Sequence, residues 1–312
     1  MVSYSCSQDQ LTGGSRLRPL MVLWGYLSTC NDYKSIEMSY IANIAVSIEL
    51  IHKATIILDD WIDQDKMRNG KIAFHIECGP YFSVIMALHM VSDSMLRLKD
   101  FLPYDTKLSN SYFYCAEVIA QTIHSMSKGA MEELRLNNNN IFDLSHIKLI
   151  AQLETAEIIG NAMQLGYFAG CGKQPKISAL LKKIGDKFGY LFQAMNDLEV
   201  FYNTDALAVH KGNINNDISL SRKNLGVAIM YNIANKADRE AIKKGSSETL
   251  SKLVRKYKIL DFIVSETEAF YESVPKQLQQ YVDIGLSEKW IENYITFMDR
   301  MKQKAYLKLG LE

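Results

Sequence analysis

Apolar and polar positions follow a helical period along almost the whole chain. Segments such as IANIAVSIELIHKATIILDDWID and LLKKIGDKFGYLFQAMNDLEVFY carry apolar residues at i, i+3, i+4 and i+7, with little alternation of period two. The few prolines leave two long intervals, 104–174 and 176–274, in which nothing prevents a helix. The pattern predicts an all-α protein. No repeat, linker or shift in composition divides it, so we expect one helical domain over residues 1–312.

Three segments are rich in residues that resist helix formation, and we expect each of them to be a loop. They are 68–79, the asparagine run 137–140, and 203–224, which is rich in Asn, Asp and Gly. A connection as long as the third is uncommon within one domain and is usually either functional or disordered.

The composition excludes several classes of protein. Lys and Arg number 35 and Asp and Glu also number 35, so the chain lacks the basic excess of a nucleic-acid-binding protein. Its longest uncharged stretches reach about fifteen residues, against the roughly twenty that span a bilayer. The N-terminal residues do not resemble a secretory signal, and the five cysteines, never spaced as CxxC, are expected to be reduced. We expect a cytoplasmic protein without a transmembrane segment.

Two carboxylates four positions apart provide the first candidate chemistry. Asp59 and Asp63 project from one face of a predicted helix, and His52 and Glu49 continue that face towards the N-terminus. Like charges at this spacing repel and a buried carboxylate needs a cation, so the pair favours a magnesium site that shares substrate phosphate oxygens. Arg68 supplies a cation for a diphosphate. The alternatives are an exposed acidic helix end and, for His52, an ordinary core histidine.

A weaker acidic group follows in the segment FQAMNDLEV. Gln193, Asn196, Asp197 and Val200 are expected on one helical face, where one carboxylate and two amides can hold a further Mg²⁺ or its waters. Amide-rich faces also cap or pack, so this segment alone leaves both interpretations open. The long loop that follows contains basic residues, as a lid over a diphosphate requires: Lys211, Arg222 and Lys223.

Taken in order, these segments resemble the trans-isoprenyl diphosphate synthase (polyprenyl synthetase) family. TGGSRLRP resembles the family's GGKRxRP, ELIH resembles its histidine motif, and DDWIDQDKMRNG resembles DDxxDxxxxRRG. LETAEIIG resembles the KTAxL segment, FQAMNDLEV resembles FQxxDDxxD, and KGNINNDISLSRKNL resembles the lysine lid. Each motif is weak alone, but six motifs in the right order make a specific match.

The resemblance implies a helical bundle of the isoprenoid synthase type around a central apolar cavity. It also implies that two or three Mg²⁺ ions bind through Asp59, Asp63 and Asp197, with Asp60 assisting. Several residues would hold the allylic diphosphate or the leaving pyrophosphate: Arg68, Thr155, Gln193, Asn196, Lys211, Arg222 and Lys223.

Arg18 and His52 match part of the family's subsite for the second substrate, isopentenyl diphosphate, but that subsite also shows two departures. Ser15 stands where the family has a lysine, and Asn69 stands where it has a second arginine. A charge-assisted hydrogen bond contributes about 1.5–3 kcal/mol, so the two losses would weaken the binding of this substrate roughly 10²- to 10⁴-fold.

Further departures concern the pyrophosphate and metal sites. Glu154 replaces the lysine of KTAxL, and Asn196 and Val200 replace two of the three aspartates of the second motif, which leaves the number of metals there open. The chain begins almost at GGSRLRP, so the resemblance implies that the family's first helix is missing or much shortened.

The implied chemistry is ionisation of an allylic diphosphate, in which Mg²⁺ and cations stabilise the pyrophosphate as the C–O bond breaks. The residues expected to carry it are Asp59, Asp60, Asp63, Arg68 and Lys211. Ala54 and Thr55 lie five and four positions before Asp59 and are small, so nothing bulky closes a pocket for a long prenyl tail there.

Three functions remain open at this stage. The leading hypothesis is a prenyltransferase whose acceptor is isopentenyl diphosphate or a different molecule. The second is a class I terpene synthase that cyclises the prenyl diphosphate or eliminates a proton from its cation. The third is a non-catalytic subunit of a heteromeric prenyl diphosphate synthase. For a catalytic protein of this type we expect a homodimer.

Overall fold

The described part of the chain is almost entirely helical, which confirms the prediction of an all-α protein. A computed structural model describes residues 14–29, 38–99, 106–136, 142–170, 172–202, 224–244 and 246–311. In chain order, the helices are α1 (Leu17–Leu27), α2 (Met38–Ile62), α3 (Phe74–Glu77), α4 (Pro80–Lys99), α5 (Thr106–Leu134), α6 (Leu144–Ala151), α7 (Glu157–Ala169), α8 (Pro175–Tyr202), α9 (Leu225–Ile233), α10 (Lys236–Lys244), α11 (Ser247–Lys256), α12 (Ile259–Gln279) and α13 (Glu288–Lys308). A π-helical turn, Gln152–Ala156, joins α6 to α7, and a 3-10 turn, Val282–Ile284, precedes α13.

Several helices begin at residues whose side chains satisfy the first backbone N–H groups. Asp143 accepts from the N–H groups of Ser145 and His146 at the start of α6, and Asn224 accepts from Val227 N–H at the start of α9. Proline is the first residue of α4 and of α8, where its missing N–H has no consequence. Pro275, by contrast, lies inside α12, so this proline does not end a helix.

Helices α1 and α7 cross at very short range, and glycines make the approach feasible. A Cβ on Gly25 would lie 2.0 Å from the carbonyl oxygen of Met163, and a Cβ on Gly166 would lie 1.9 Å from that of Val22. Trp290 Nε1 donates a 2.9 Å hydrogen bond to the carbonyl oxygen of Trp24 and so ties α1 to α13 as well. These contacts fix α1, whose first turn contains Arg18.

Buried apolar residues form three clusters. The largest lies among α1, α2, α5, α7, α8, α12 and α13. The second lies among α6, α8, α9, α11 and α12, and Tyr190 of α8 packs against both clusters. The third is small and lies between α2, α3 and α4. Helices α2 and α8, which carry the two acidic motifs, are therefore held by apolar contacts along their length.

The segment 68–79 differs from the predicted loop. Met67–Arg68 pairs with Lys71–Ile72 as an antiparallel hairpin, and α3 follows it. Asn69 and Gly70 form the turn with φ values of 52° and 75°. Two-residue hairpin turns of this kind favour Asn-Gly because both positions need positive φ. Asn69, one of the departures from the family motif, is thus an exposed turn residue.

Two further expectations are tested by the described residues. By length and composition alone, Ile41–Ile62 in α2 is apolar enough to cross a membrane, but more than half of its most apolar stretch is buried within the protein. Helix α2 is a core helix that packs against α4 and α1. Cys115 is a buried free thiol, whereas Cys78 is disulfide-bonded, so the expectation of five reduced cysteines is wrong for Cys78.

Candidate active site

The three aspartates in the C-terminal turns of α2 lie in two different environments. Asp59 and Asp63 are half-buried and lie one helical turn apart, with Asp63 N–H donating to the Asp59 carbonyl oxygen at 2.8 Å. Asp60 is only 2% exposed, and its Oδ1 accepts from Arg68 Nε at 2.7 Å and from a second guanidinium nitrogen. Asp60 therefore holds Arg68, and Asp59 and Asp63 form the pair suited to a metal.

The hairpin brings Arg68 back onto α2. Burial raises the pKa of the Asp60 carboxyl, while the hydrogen bond and positive charge of Arg68 oppose that shift. A guanidinium has five N–H donors, and Asp60 engages only one edge of it, so the remaining donors of Arg68 can serve an anionic ligand.

The donor set at the first motif fits magnesium better than a metal that needs an all-protein cage. Within the described ranges, no group of three or more His, Cys, Asp or Glu side chains is placed to hold a metal by itself. Mg²⁺ typically takes one or two carboxylates and completes its coordination with waters and substrate phosphate oxygens. Asp59 and Asp63 offer such a pair, beside the cation Arg68.

The second motif is joined to the π-helical turn by a chain of hydrogen bonds. Thr155 Oγ1 donates to Gln193 Oε1 at 3.0 Å, and Gln193 Nε2 donates to Asp197 Oδ1 at 2.7 Å. Leu225 N–H, at the start of α9, donates to Asp197 Oδ2 at 2.7 Å. The structure thus brings together three of the predicted site residues. Both oxygens of Asp197 are therefore oriented by hydrogen-bond donors.

Val200 does not share the polar face that the sequence predicts for it. It is 5% exposed and packs in the second apolar cluster, whereas Asn196 is half-buried beside Asp197. An aspartate at position 200 would place a charge among apolar side chains, and such burial is costly without a partner. The apolar residue at this position is therefore explained by packing.

A group of basic side chains surrounds the N-terminal half of the polar face of α2. Arg16 Nη1 donates to Glu49 Oε1 at 2.8 Å, and Lys53 Nζ lies 3.9 Å from the same oxygen. Arg18 Nε is buried and has no hydrogen-bond partner. His52 lies on α2 within the influence of all these charges. We call Arg16, Arg18, His52 and Lys53 the basic cluster.

Burial controls the ionisation of Arg18 and His52. Burial lowers the pKa of the Arg18 guanidinium to about 10, with Glu49 acting in the opposite direction. Burial also lowers the pKa of His52 well below its usual range, and the positive charges of Arg18, Lys53 and Arg68 add to that shift. His52 is therefore a neutral hydrogen-bonding group at neutral pH. Arg16 is not among the site residues that the sequence predicts, although it lies next to Ser15 in the first motif.

The two residues predicted to line the tail pocket lie in different surroundings. Thr55 is half-buried, and its Oγ1 donates to the His52 carbonyl oxygen at 2.9 Å. Ala54 is 1% exposed and belongs to the third apolar cluster, whose other buried members are Ile57, Phe74, Ala87 and Met90. Lining of a prenyl-tail pocket by these two positions stays a prediction, as do the roles of Lys211, Arg222 and Lys223, which lie outside the described residues.

Comparison with known proteins identifies the family. A family model described as Polyprenyl synthetase matches residues 2–260. The chain belongs to the polyprenyl synthetase family. Heptaprenyl diphosphate synthase component 2 of Bacillus subtilis (strain 168) is 26% identical over 238 residues, which cover 76% of this chain and 63% of that protein. Octaprenyl diphosphate synthase of Escherichia coli (strain K12) is 26% identical over 244 residues, which cover 76% and 70%.

Solved polyprenyl synthetases share the fold. Polyprenyl synthase from Caulobacter crescentus CB15 superimposes with a TM-score of 0.73 at 20% identity, covering 92% of this chain and 84% of that one. Decaprenyl diphosphate synthase from Rhodobacter capsulatus gives a TM-score of 0.75 at 20% identity, with coverages of 94% and 86%. The expected isoprenoid-synthase bundle is thereby confirmed as the fold.

The different surroundings of the aspartates predict different mutational effects. We expect Asp59→Ala and Asp63→Ala to abolish pyrophosphate release from an allylic diphosphate while changing the free energy of unfolding by less than about 0.5 kcal/mol. Asp60→Ala should also lose activity, but it should lower that free energy by up to about 3 kcal/mol, because it leaves the half-buried guanidinium of Arg68 without its partner.

Urea unfolding monitored by circular dichroism, together with a pyrophosphate-release assay, checks both statements. Near-full activity of either Asp59→Ala or Asp63→Ala would end the metal interpretation. An equal free energy of unfolding for Asp60→Ala and the unmodified protein would contradict the role of Asp60 as the stabilising partner of Arg68.

Proposed function

We propose that this polyprenyl synthetase is a Mg²⁺-dependent prenyltransferase that ionises an allylic prenyl diphosphate and transfers the prenyl group to an acceptor. The observation that carries the proposal is the arrangement on α2, where Asp59 and Asp63 lie one helical turn apart while buried Asp60 fixes the cation of Arg68 beside them. This arrangement suits a substrate that brings both negative charge and metal-binding oxygens.

The proposed roles follow from the contacts of each side chain. Asp59, Asp63 and Asp197 would hold Mg²⁺, which neutralises charge as it develops on the leaving pyrophosphate. Arg68, oriented by Asp60, donates hydrogen bonds to the diphosphate from a position fixed before the reaction, so little reorganisation opposes ionisation.

On the second motif, we propose that the aligned groups of Thr155, Gln193 and Asp197 orient the pyrophosphate side of the site. Asn196 would contact the same ligand. Lys211, Arg222 and Lys223 are proposed to close over the diphosphate, a role that rests on their match to the family's lysine lid.

The relatives support this chemistry in part. Geranylgeranyl pyrophosphate synthase from Corynebacterium glutamicum, solved in complex with isoprenyl diphosphate and magnesium, has the same fold with a TM-score of 0.73 at 17% identity. The match to the Bacillus subtilis relative spans 63% of that protein, slightly less than two thirds, so transfer of the whole activity from it is part of our proposal.

A product analysis tests the proposed function. The protein is incubated with Mg²⁺ and each allylic diphosphate from ten to twenty carbons, with and without isopentenyl diphosphate, and the products are identified by mass spectrometry. We expect a prenylated acceptor and released pyrophosphate, both lost when EDTA removes the metal. Turnover that persists in EDTA would contradict the proposal.

Two other outcomes would favour the remaining hypotheses. A hydrocarbon or alcohol formed from the allylic substrate alone would identify a terpene synthase. Two relatives, from Bacillus subtilis and Geobacillus stearothermophilus, are named as component 2 of heptaprenyl diphosphate synthase. Absence of pyrophosphate release under every condition would therefore favour a subunit that acts only with a partner chain.

The tail pocket can be tested best at Thr55. Thr55→Phe should shorten the preferred allylic substrate or the product, because a ring would stand where the tail is proposed to pass. Ala54→Phe should in addition lower the free energy of unfolding by about 1–3 kcal/mol, since it overpacks the third apolar cluster. Thr55→Val is the matched control without a ring. An unchanged chain-length preference in Thr55→Phe, measured by product mass, would show that the tail passes elsewhere.

We also propose a homodimer that uses one face of α4. Tyr81, Ile85 and Leu88 follow helical spacing and are 88%, 63% and 60% exposed, and Leu96 continues the face at 62%. Phe113 of the neighbouring helix α5 is 68% exposed. Large apolar side chains that line one face of a surface helix are typical of an interface between proteins.

Charge introduced on this face should separate the copies. We expect Ile85→Glu combined with Leu88→Glu to convert a dimer into a monomer in sedimentation equilibrium, because buried unpaired carboxylates oppose association. Leu307→Glu, at a residue 72% exposed on α13, is the matched control and should stay dimeric. A double variant that remains dimeric would place the interface elsewhere.

A further inference from the structure

Helices α10 and α11 concentrate positive charge at the protein surface. Residues 236–258 contain eight basic and three acidic residues, a net charge of +5, whereas the whole chain has a net charge of zero. The rest of the chain is therefore acidic on balance. The exposed basic side chains of this segment form what we call the α10–α11 face: Lys236, Lys243, Lys244, Lys252, Arg255, Lys256 and Lys258.

Apolar packing on one side of each helix turns these charges towards solvent. Helix α10 buries Ile242 completely, and α11 buries three apolar residues in the second apolar cluster: Leu250, Leu253 and Val254. Lys256 Nζ lies 2.6 Å from Asp238 Oδ2, so the end of α11 lies beside the first turn of α10. The polar sides of the two helices therefore form one continuous surface.

Ion pairs within the protein neutralise only part of this surface. Three of its lysines pair with carboxylates of α10 and α11: Lys243 with Glu240, Lys252 with Glu248, and Lys256 with Asp238. In the part of the chain that the structure describes, the other cations of the face have no carboxylate partner: Lys236, Lys244, Arg255 and Lys258. Exposed like charges repel one another, and an anionic partner relieves that repulsion.

The α10–α11 face adjoins the end of α8 that carries the second motif. Arg255 Nη2 donates to the Phe201 carbonyl oxygen at 3.3 Å, and its guanidinium lies 5.1 Å from the centre of the Tyr202 ring. Tyr202 is the last residue of α8, and Asp197 lies five positions before it. At about 1.5 Å per residue, Asp197 is about 7.5 Å from this contact along the helix axis. A partner bound at the face would thus lie close to the candidate active site.

Two exposed apolar side chains flank the face. Ile233, at the end of α9, is 55% exposed, and Phe262, in the first turn of α12, is 50% exposed. Asn235 N–H donates to Tyr257 Oη at 3.1 Å, which places the residues after α9 beside the end of α11. Phe262 N–H donates to the Lys258 carbonyl oxygen at 3.1 Å. Apolar side chains beside a group of cations are typical of surfaces that enter the headgroup region of a bilayer.

We propose that the α10–α11 face docks the protein on an anionic lipid bilayer, with its basic side chains on lipid phosphates and with Ile233 and Phe262 in the headgroup region. The charge of the face is complementary to such a surface. The exposed aliphatic side chain of Ile233 favours a bilayer over an RNA, because a bilayer buries apolar surface and a phosphate backbone does not.

This inference goes beyond the proposed function, because docking requires no turnover. For a prenyltransferase, docking would bring a product with a long apolar tail to a bilayer that can receive it. The lipid phosphates and the product diphosphate are separate ligands, so binding to each can be measured independently.

Sedimentation of the full chain with lipid vesicles tests the docking surface. One set of vesicles contains phosphatidylcholine with about 30% phosphatidylglycerol, and the other contains phosphatidylcholine alone. Each basic residue near an anionic surface strengthens binding about fivefold, so we expect at least about tenfold stronger binding to the anionic vesicles. Raising the salt concentration to about 0.5 M should remove most of this difference, because salt screens exposed charges.

Substitution of lysines without an ion-pair partner tests the location of the surface. Lys236→Gln, Lys244→Gln and Lys258→Gln together should weaken binding to the anionic vesicles about 100-fold. The matched control has the same net charge but loses three exposed lysines of α5, α8 and α13: Lys128→Gln, Lys176→Gln and Lys304→Gln. It should bind within about threefold of the unmodified protein, because those lysines lie outside the face.

The apolar contribution is tested separately. Ile233→Ser combined with Phe262→Ser should weaken vesicle binding about tenfold, and this factor should change little with salt, because apolar burial is not screened.

Several results would overturn the inference. They are equal binding to anionic and neutral vesicles, equal losses in the two lysine triple variants, or unchanged binding of the first triple variant with normal folding by circular dichroism. Binding of a transfer RNA without binding of vesicles would assign the face to a nucleic acid instead. Pyrophosphate release measured without vesicles reports on the proposed function, so an inactive protein that binds anionic vesicles through this face would still support the docking surface.

Discussion

Helix α2 carries acidic and basic side chains through an apolar bundle, and each buried charge on it requires an opposite charge or a ligand. Asp60 meets this requirement with Arg68, and Glu49 meets it with Arg16. A buried charge left unpaired costs several kcal/mol, so these pairs fix the hairpin and the start of α1 against α2.

The close approach of α1 to α7 also positions the basic cluster. Only glycine allows the backbones of α1 and α7 to meet at Gly25 and Gly166, where any Cβ would lie about 2 Å from a carbonyl oxygen. That approach sets the depth at which Arg18 enters the bundle, and burial there lowers the pKa of its guanidinium to about 10. Packing among apolar residues thus determines the electrostatics of the basic cluster.

The departures from the family motifs have separate physical causes. Asn69 occupies a turn position with positive φ, which suits asparagine better than most side chains. Val200 completes an apolar cluster. Next to Ser15, the ammonium group of Lys53 from α2 lies 3.8 Å from the position that a Cβ on Gly14 would occupy. A motif compared letter by letter records three losses here, whereas the structure shows a turn, a packing contact and a neighbouring cation.

The sequence by itself determined the helical fold and the paired acidic motifs, because helical periodicity and the i, i+4 spacing of Asp59 and Asp63 are local properties of the chain. The resemblance of six motifs in the right order indicated the family. It failed where partners are distant in sequence. The link from Thr155 through Gln193 to Asp197 and the burial of Val200 depend on how separate helices pack. The proximity of Lys53 to Gly14 belongs to the same class. Spacing along one helix fixes which side chains share a face, but only tertiary packing decides which other element that face meets.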